Sequence, residues 1–245
     1  MFNETPKTVI QDTEAKMLHS MVPRVKLSDG LVIGGVTGIG YFAAYLSETG
    51  YKSYFGLPSL YADVSLNAII LSISSIVIVL WMLYLAINHS TFSRYGKFTV
   101  PVILPLGIAI FLGIKIDFEI NIPIWLLVIT LLLFVFITAG MIAFAVRKSW
   151  FYAGLLFIIF VIGISRTSGY IVAANQTEYL VTLEPQPYVV VDTYKDALIL
   201  MPIDLKTKKL STEYRFVDQK SEMDATIQLQ KMKLGSLQVI SVDDK

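Results

Sequence analysis

Five apolar stretches occupy the middle of the chain, and each approaches or reaches the length of a membrane-spanning helix. A helix needs about 20 mostly apolar residues to cross roughly 30 Å of hydrocarbon. The fourth stretch is the most hydrophobic, and the second contains no charged residue. The pattern therefore predicts five spans, at about residues 31–46, 66–87, 98–114, 122–146 and 150–174.

Two of these spans are weaker than the other three. The first has only sixteen residues and needs Tyr45 and Ser47 at the interface to reach across. The third contains Pro101 and Pro105, which remove backbone donors and kink helices. Membrane helices tolerate proline where neighbouring groups satisfy the freed carbonyls, so both stretches are kept as predicted spans.

The pattern changes after the fifth span, where short runs rich in β-branched and aromatic residues alternate with polar turns. These runs predict about five strands in a small antiparallel β domain, at residues 188–194, 197–203, 213–217, 226–234 and 237–242. A core built from so few residues is marginally stable alone. We therefore expect the domain to dock on the membrane domain or to be stabilised by oligomerisation.

The segment before the first span is polar, and part of it has the pattern of a short amphipathic helix. Within residues 1–30, the segment 12–22 places Leu18 and Val22 on one face, beside His19. We predict that Leu18, His19 and Val22 form a cytoplasmic gate, a partner contact or an interface anchor.

Composition agrees with a membrane protein, since 55% of the residues are hydrophobic and only 16% are charged. Residues 31–174 contain seven Lys/Arg and four Asp/Glu in 144 positions. These numbers, with the absence of cysteine, exclude a disordered chain, a nucleic-acid-binding domain and a disulfide-stapled domain. The predicted fold is an α-helical integral membrane protein with a small C-terminal antiparallel β domain, divided at 1–30, 31–174 and 178–245.

The basic residues are distributed unevenly about the predicted spans. Eight Lys/Arg lie before the first span or in the second–third and fourth–fifth loops, and two lie in the alternate loops. Because basic loops stay in the cytoplasm, we expect a cytoplasmic N-terminus and an extracytoplasmic C-terminus.

Motifs of catalysis are absent from the sequence. It has no H-E-x-x-H, no P-loop, no Gly-rich dinucleotide fingerprint and no G-x-S-x-G. The two histidines, His19 and His89, are too few and too far apart in sequence for a metal centre of their own. We therefore expect no enzyme activity, no cofactor and no metal.

Arg166 is the one charge well inside a predicted span, and a cation at mid-helix costs about 2.5–3.5 kcal/mol on insertion scales. One interpretation is a ring of Arg166 and hydroxyls that lines a passage in an oligomer. The other is that the arginine stem reaches the headgroups, or that the span ends near residue 164. The pore-lining candidates are Arg166, Ser165, Thr167, Ser168, Ser72 and Ser75.

Glycines cluster in the first span, at Gly34, Gly35, Gly38 and Gly40. The spacing of Gly34 and Gly38 lets helix backbones approach closely, so helix packing is the expected role and a gating hinge is the alternative. The aromatic-rich segment 51–65 that follows predicts either an interfacial belt or an outer vestibule.

The FGLP loop at 55–58 and the tail YVVVDTYKDALILMPIDLKTKKL at 188–210 resemble small uncharacterised bacterial inner-membrane proteins. Some of these are similar to the membrane components of anti-phage defence operons, which assemble as small homo-oligomers and permeabilise or sense at the membrane. The resemblance implies a location in a bacterial inner membrane, self-association with a tetramer as the expected assembly, and a cytoplasmic partner protein or small-molecule signal.

Two functions follow as hypotheses. The first is a homo-oligomeric pore or ion channel in a bacterial defence system. The second is a non-conducting sensor or scaffold, whose external β domain detects an envelope event and whose N-terminus recruits a cytoplasmic effector. Both hypotheses expect the lipid bilayer and further copies of the chain as partners, and neither expects nucleic acid.

Overall fold

The computed structural model describes residues 29–88, 90–111, 123–183, 186–219 and 228–240. This part of the chain forms five α-helices followed by a seven-stranded sheet. The helices are α1 (Asp29–Tyr54), α2 (Leu66–Asn88), α3 (Ser90–Phe111), α4 (Ile124–Val146) and α5 (Trp150–Ala174), with a 3-10 helix at Ser59–Tyr61 between α1 and α2. The chain divides into two compact units, residues 1–35 and 36–245. The described part of the first unit, residues 29–35, is the beginning of α1.

Four helices of the described chain are long and apolar enough to cross a membrane, namely α1, α2, α4 and α5. They correspond to four of the five predicted spans. The bounds of α2, α4 and α5 agree with the prediction to within two residues at each end. A helical part joined to a β domain is therefore confirmed as the architecture.

The third predicted span differs from the structure. Helix α3 begins at Ser90, eight residues before the predicted start at 98, and its described part ends at Phe111. The helix extends beyond the predicted span at this end, because Arg94 and Lys97 were assigned to a loop, whereas a charged residue need not end a helix. Pro101 and Pro105 lie inside α3 and are buried against its neighbours.

Helix α1 is also longer than predicted, because it continues eight residues past 46 to Tyr54. An ion pair between Glu48 and Lys52, four residues apart, supports this last part of the helix. The extension carries Tyr51 and Tyr54 beyond the apolar stretch and toward the sheet.

Neighbouring helices in the sequence pack side by side, α2 against α3, α3 against α4 and α4 against α5. Their common core contains one edge-to-face aromatic pair, Phe134 and Phe160, with ring centroids 5.7 Å apart. The buried residues around this pair are Val79, Ala86, Val100, Leu104, Met141, Ile142 and Ile164.

The sheet follows directly after α5 and has the strand order β6-β1-β2-β3-β4-β7, with β5 paired to β3. The strands are β1 (Glu178–Thr182), β2 (Tyr188–Tyr194), β3 (Ala197–Asp204), β4 (Lys209–Ser211), β5 (Arg215–Asp218), β6 (Gln230–Lys233) and β7 (Gln238–Ile240). The prediction missed β1 and β4, of which β4 has only three residues and pairs with β3 through a short turn. It was also wrong for one pair, because β4 and β7 run parallel.

The core of the sheet is completed by residues from the helical part. Phe55 and Leu57, which follow α1, are buried with Ala173 of α5 among the sheet residues. The sheet contributes Tyr179, Val181, Val189, Val191, Ile199, Met201, Ile203 and Leu210, together with Leu237 from the loop before β7. The expected docking of the β domain is therefore found, and the aromatic segment after the first span provides the contact.

Candidate functional site: the joint between the helices and the sheet

A buried charged cluster joins the end of α1 to strand β2. We call it the joint and define it as Glu48, Tyr51, Lys52, Gln176 and Asp192. Three of its members carry ionisable side chains, the amine of Lys52 and the carboxyl groups of Glu48 and Asp192. Asp192 is 140 residues away from Lys52 in the sequence. The joint is therefore a tertiary contact between the helical part and the sheet.

Lys52 is the centre of the joint, because its side chain is fully buried. Its Nζ lies 3.0 Å from Oε1 of Glu48, one turn earlier on α1, and forms a second ion pair with Oδ2 of Asp192. The Glu48 side chain is 27% exposed and that of Asp192 16% exposed. A buried ammonium is costly without partners, so the two carboxylates hold this end of α1 against the sheet.

Tyr51 provides a second polar contact next to Lys52. Its hydroxyl lies 2.7 Å from Oε1 of Gln176, which follows α5, and 2.9 Å from the carbonyl oxygen of Val191 on β2. The joint therefore connects α1 both to the end of α5 and to the sheet.

A β-bulge in β2 explains how the sheet presents these groups. The register between β2 and β3 shifts between Val190 and Asp192, so that Val191 has no partner residue on β3. A bulge leaves one residue outside the ladder and redirects its neighbours. Here the carbonyl of Val191 accepts from Tyr51, and the carboxylate of Asp192 pairs with Lys52.

Aromatic contacts continue the joint along the seam between α1 and α5. The Tyr54 hydroxyl donates to the carbonyl oxygen of Leu237 at 2.5 Å, and its ring packs edge-on against Tyr170 of α5. Tyr179 is buried in the adjoining core and donates to the carbonyl oxygen of Gln176 at 3.0 Å. Burial raises the pKa of the Tyr179 hydroxyl well above its ordinary value, so this donor stays protonated.

Two glycines let the backbones of α1 and α5 meet just below the joint. A Cβ built at Gly50 would overlap the carbonyl oxygen of Arg166, and one built at Gly169 would overlap that of Ser47. Because each helix supplies a glycine facing the other's backbone, the two axes approach closely. The sequence analysis did not single out either glycine.

The predicted packing glycines have different surroundings. A Cβ at Gly40 would overlap the Ile73 side chain, so Gly40 brings α1 close to α2. At Gly34, Gly35 and Gly38, a Cβ would meet no atom of the described residues within 4 Å.

The predicted pore-lining hydroxyls face other helices of the same chain. Ser72, Ser75, Ser165 and Ser168 are buried, whereas Thr167 is half-buried. The first three line a cavity of about 30 Å³ between α1, α2 and α5, which is room for only about two water molecules. The Ser75 hydroxyl donates to Leu71 and that of Ser168 to Ser165, each at 2.9 Å.

Arg166 has a different position from these hydroxyls, because its side chain is exposed on α5. It forms no ion pair with any residue in the described part of the chain. The helix itself continues past it to Ala174. The gate or partner candidates Leu18, His19 and Val22, and also His89, lie outside the described residues.

The chemistry available at the joint is charge pairing and hydrogen bonding. Across the described residues, no three His, Cys, Asp or Glu side chains are grouped as metal ligands would be. Sequence reasoning placed Lys52 in a loop and missed its role. One signal was available, since Glu48 and Lys52 have the spacing of a helical ion pair and indicate that α1 continues.

Comparison with protein-family models, with curated proteins and with solved structures gives no match to this chain. The contacts of the chain itself therefore carry the argument about function.

Proposed function

We propose that this protein is a multi-pass membrane sensor, in which the β domain and α1 move together and transmit an extracytoplasmic event to the N-terminal segment. The observation that carries the proposal is the joint. A fully buried Lys52, paired to its own helix and to β2, ties the sheet to the helix that leads back to residues 1–28. A displacement of the sheet would therefore pull on α1 rather than on a flexible linker.

The proposed topology has five spans, a cytoplasmic N-terminus and an extracytoplasmic sheet in a bacterial inner membrane. The excess of basic residues on one side of the predicted spans supports this orientation. Helix α3 is the fifth span in this proposal. It has 22 residues, enough for about 33 Å, and it packs between α2 and α4.

The absence of cysteine makes the topology directly testable, because a single introduced cysteine is the only thiol. We expect Gln219→Cys to react with a membrane-impermeant maleimide in intact spheroplasts. We expect Ser20→Cys to react only after the membrane is permeabilised. Equal labelling of both residues in intact spheroplasts would place the two ends on one side and contradict five spans.

Transmission through the joint is tested with the same Ser20→Cys chain carrying a spin label, reconstituted in lipid nanodiscs. Asp192→Asn weakens the joint, and we expect it to change the mobility of the label. Lys231→Met breaks an exposed ion pair with Glu178 elsewhere on the sheet and should leave the spectrum unchanged. Identical spectra for all three chains would refute coupling between the sheet and the N-terminal segment.

The effector hypothesis has its own test, because it assigns recruitment to the N-terminal segment. Deleting residues 1–26 should abolish binding of the cytoplasmic partner while leaving the assembly of the chain intact. A nuclease or nucleotidyltransferase gene next to this one would favour the proposed defence role.

A homo-oligomeric pore, with a tetramer as the expected assembly, is the second candidate function. The exposed Arg166 favours it, since a cation on the outer surface of an apolar helix can face a passage shared by several copies. The pore predicts discrete conductance in planar bilayers and an altered ion selectivity in Arg166→Glu. Electrical silence at high protein loading would refute this function.

A further inference from the structure

Arg166 is the only charged residue of α5, and its exposure calls for an anionic partner. No carboxylate of the described residues pairs with it. Its backbone is held firmly, because Gly50 of α1 packs against its carbonyl group. The guanidinium is therefore presented from a fixed point beside the α1–α5 seam, and the partner must come from outside the described chain.

The position of Arg166 along α5 identifies the surroundings, if the chain spans the bilayer as proposed. Trp150 and Tyr170 are both exposed, and their separation of 20 positions along the helix corresponds to about 30 Å, the thickness of the hydrocarbon core. Aromatic residues of this kind mark the two boundaries of a bilayer. Arg166 then lies one turn inside the boundary marked by Tyr170, which is the boundary nearer the sheet.

The direction of the side chain makes simple escape to water difficult. Side chains on a helix lean toward its N-terminus, which for α5 is the opposite side of the bilayer. The stem of Arg166 must therefore bend back to reach water, or an anion must come down to the guanidinium. Phosphate suits this geometry, because the guanidinium can donate two parallel hydrogen bonds to its oxygens.

Tyr170 provides a second donor for the same group. It follows Arg166 by four residues, so the two lie on one face of α5, one turn apart. The ring of Tyr170 is held by its contact with Tyr54, with centroids 5.3 Å apart. A phosphate beside Tyr170 would sit at the level where headgroups begin.

We propose that Arg166 and Tyr170 bind the phosphate of an anionic phospholipid, such as phosphatidylglycerol, in the leaflet nearer the sheet. The inference depends on the membrane location in the proposed function but not on transmission through the joint. An anionic lipid fits better than a zwitterionic one, because its charge is neutralised by arginine alone. The choline group of phosphatidylcholine already compensates its own phosphate.

The test uses the full chain, delipidated in a neutral detergent, with phosphatidylglycerol or phosphatidylcholine added at equal mole fraction. We expect phosphatidylglycerol to raise the Tm of the parent chain by several degrees more than phosphatidylcholine does. Arg166→Gln should abolish this difference, Arg166→Lys should retain part of it, and Tyr170→Phe should reduce it. Arg147→Gln, which removes another exposed arginine, should retain all of it.

Three results would overturn the proposal. One is an equal effect of phosphatidylglycerol on Arg166→Gln and the parent chain. Another is an equal effect of inorganic phosphate, which would assign the site to free anions. The third is a change of oligomer mass in Arg166→Gln without a change in the lipid effect, which would assign Arg166 to a contact between copies. Because the spin-label experiment does not involve these variants, failure here is distinguishable from failure of the sensor.

Discussion

Breaking the ion pairs of Lys52 tests whether the joint holds the sheet to α1. In Asp192→Asn, the fully buried ammonium keeps only Glu48, at 3.0 Å. Removing one partner of a buried pair costs about 3–5 kcal/mol when the remaining charge has no other partner. Because Glu48 remains, we expect a smaller loss of about 2–3 kcal/mol in the free energy that keeps the joint closed.

Lys52→Met should be more harmful than Asp192→Asn, because it removes both ion pairs at once. The methionine side chain fills a similar volume, so the difference between the two variants reports the charge and not the packing. The two carboxylates left behind are only 27% and 16% exposed, and each has the other as a like-charged neighbour. The order of the two variants therefore separates the loss of both ion pairs from the loss of one.

Limited digestion with chymotrypsin in lipid nanodiscs, followed at the aromatic cleavage sites of the sheet, measures the opening of the joint, since none of these substitutions adds or removes an aromatic residue. When reclosing is faster than cleavage, the rate follows the population of the open form. A loss of 2–3 kcal/mol then corresponds to a roughly 30- to 150-fold faster cleavage of the sheet in Asp192→Asn.

Lys231→Met is the matched control, because it also breaks an ion pair, but an exposed one. Nζ of Lys231 lies 2.6 Å from Oε2 of Glu178, and the two side chains are 68% and 49% exposed, respectively. An exposed pair contributes at most about 1 kcal/mol, so cleavage should rise less than about sixfold. Equal rates in Lys231→Met and Asp192→Asn would refute the reasoning. So would a Lys52→Met chain that opens less readily than Asp192→Asn.

Two further predictions concern the α1–α5 crossing and a turn of the sheet. Gly50→Ala places a methyl group against the α5 backbone, and we expect it to lower the free energy of unfolding by about 1–3 kcal/mol or more, measured as a lower Tm. Gly38→Ala is the control, because a Cβ there has open space, and it should leave the Tm unchanged or raise it slightly. A lower Tm in Gly38→Ala alone would contradict this. The Thr207 hydroxyl and the Lys206 amide hold the pKa of Asp204 below its usual value, so the turn is stabilised above the unfolded-state pKa. That stabilisation is lost as the pH falls through the lower folded pKa. The NMR chemical shift of the Lys206 backbone amide should therefore titrate below about pH 3.9. Asp204→Asn should abolish this titration.

The helices could be predicted from the sequence because apolar length is a local property. The bounds of α2, α4 and α5 follow from it directly. The helices α1 and α3 extend beyond the predicted spans for one reason, which is that hydrophobicity marks the part of a helix suited to lipid and not the end of the helix. Glu48 and Lys97 are helical although they lie outside the predicted spans.

The joint could not be predicted in the same way, because its contacts connect residues far apart in the sequence. Nothing near Lys52 indicates that Asp192 will be its partner, and the bulge that redirects Asp192 exists only once β2 pairs with β3. The hydroxyl candidates show the converse limit. The sequence pattern around a serine in an apolar helix is the same whether the serine faces a passage or a neighbouring helix. Ser72 and Ser165 face neighbouring helices.

Because Phe55 and Leu57 are buried in the core of the sheet, they can be covered only after the later strands of the sheet have been synthesised. Lys52 leaves the ribosome 140 residues ahead of Asp192, an interval of roughly 7–28 s at 5–20 residues per second. During that time the end of α1 exposes apolar side chains, and Lys52 has only Glu48 as a partner. A nascent chain that stops before β2 would keep this surface open, so proteolytic or chaperone surveillance could distinguish incomplete chains from finished ones by this one region.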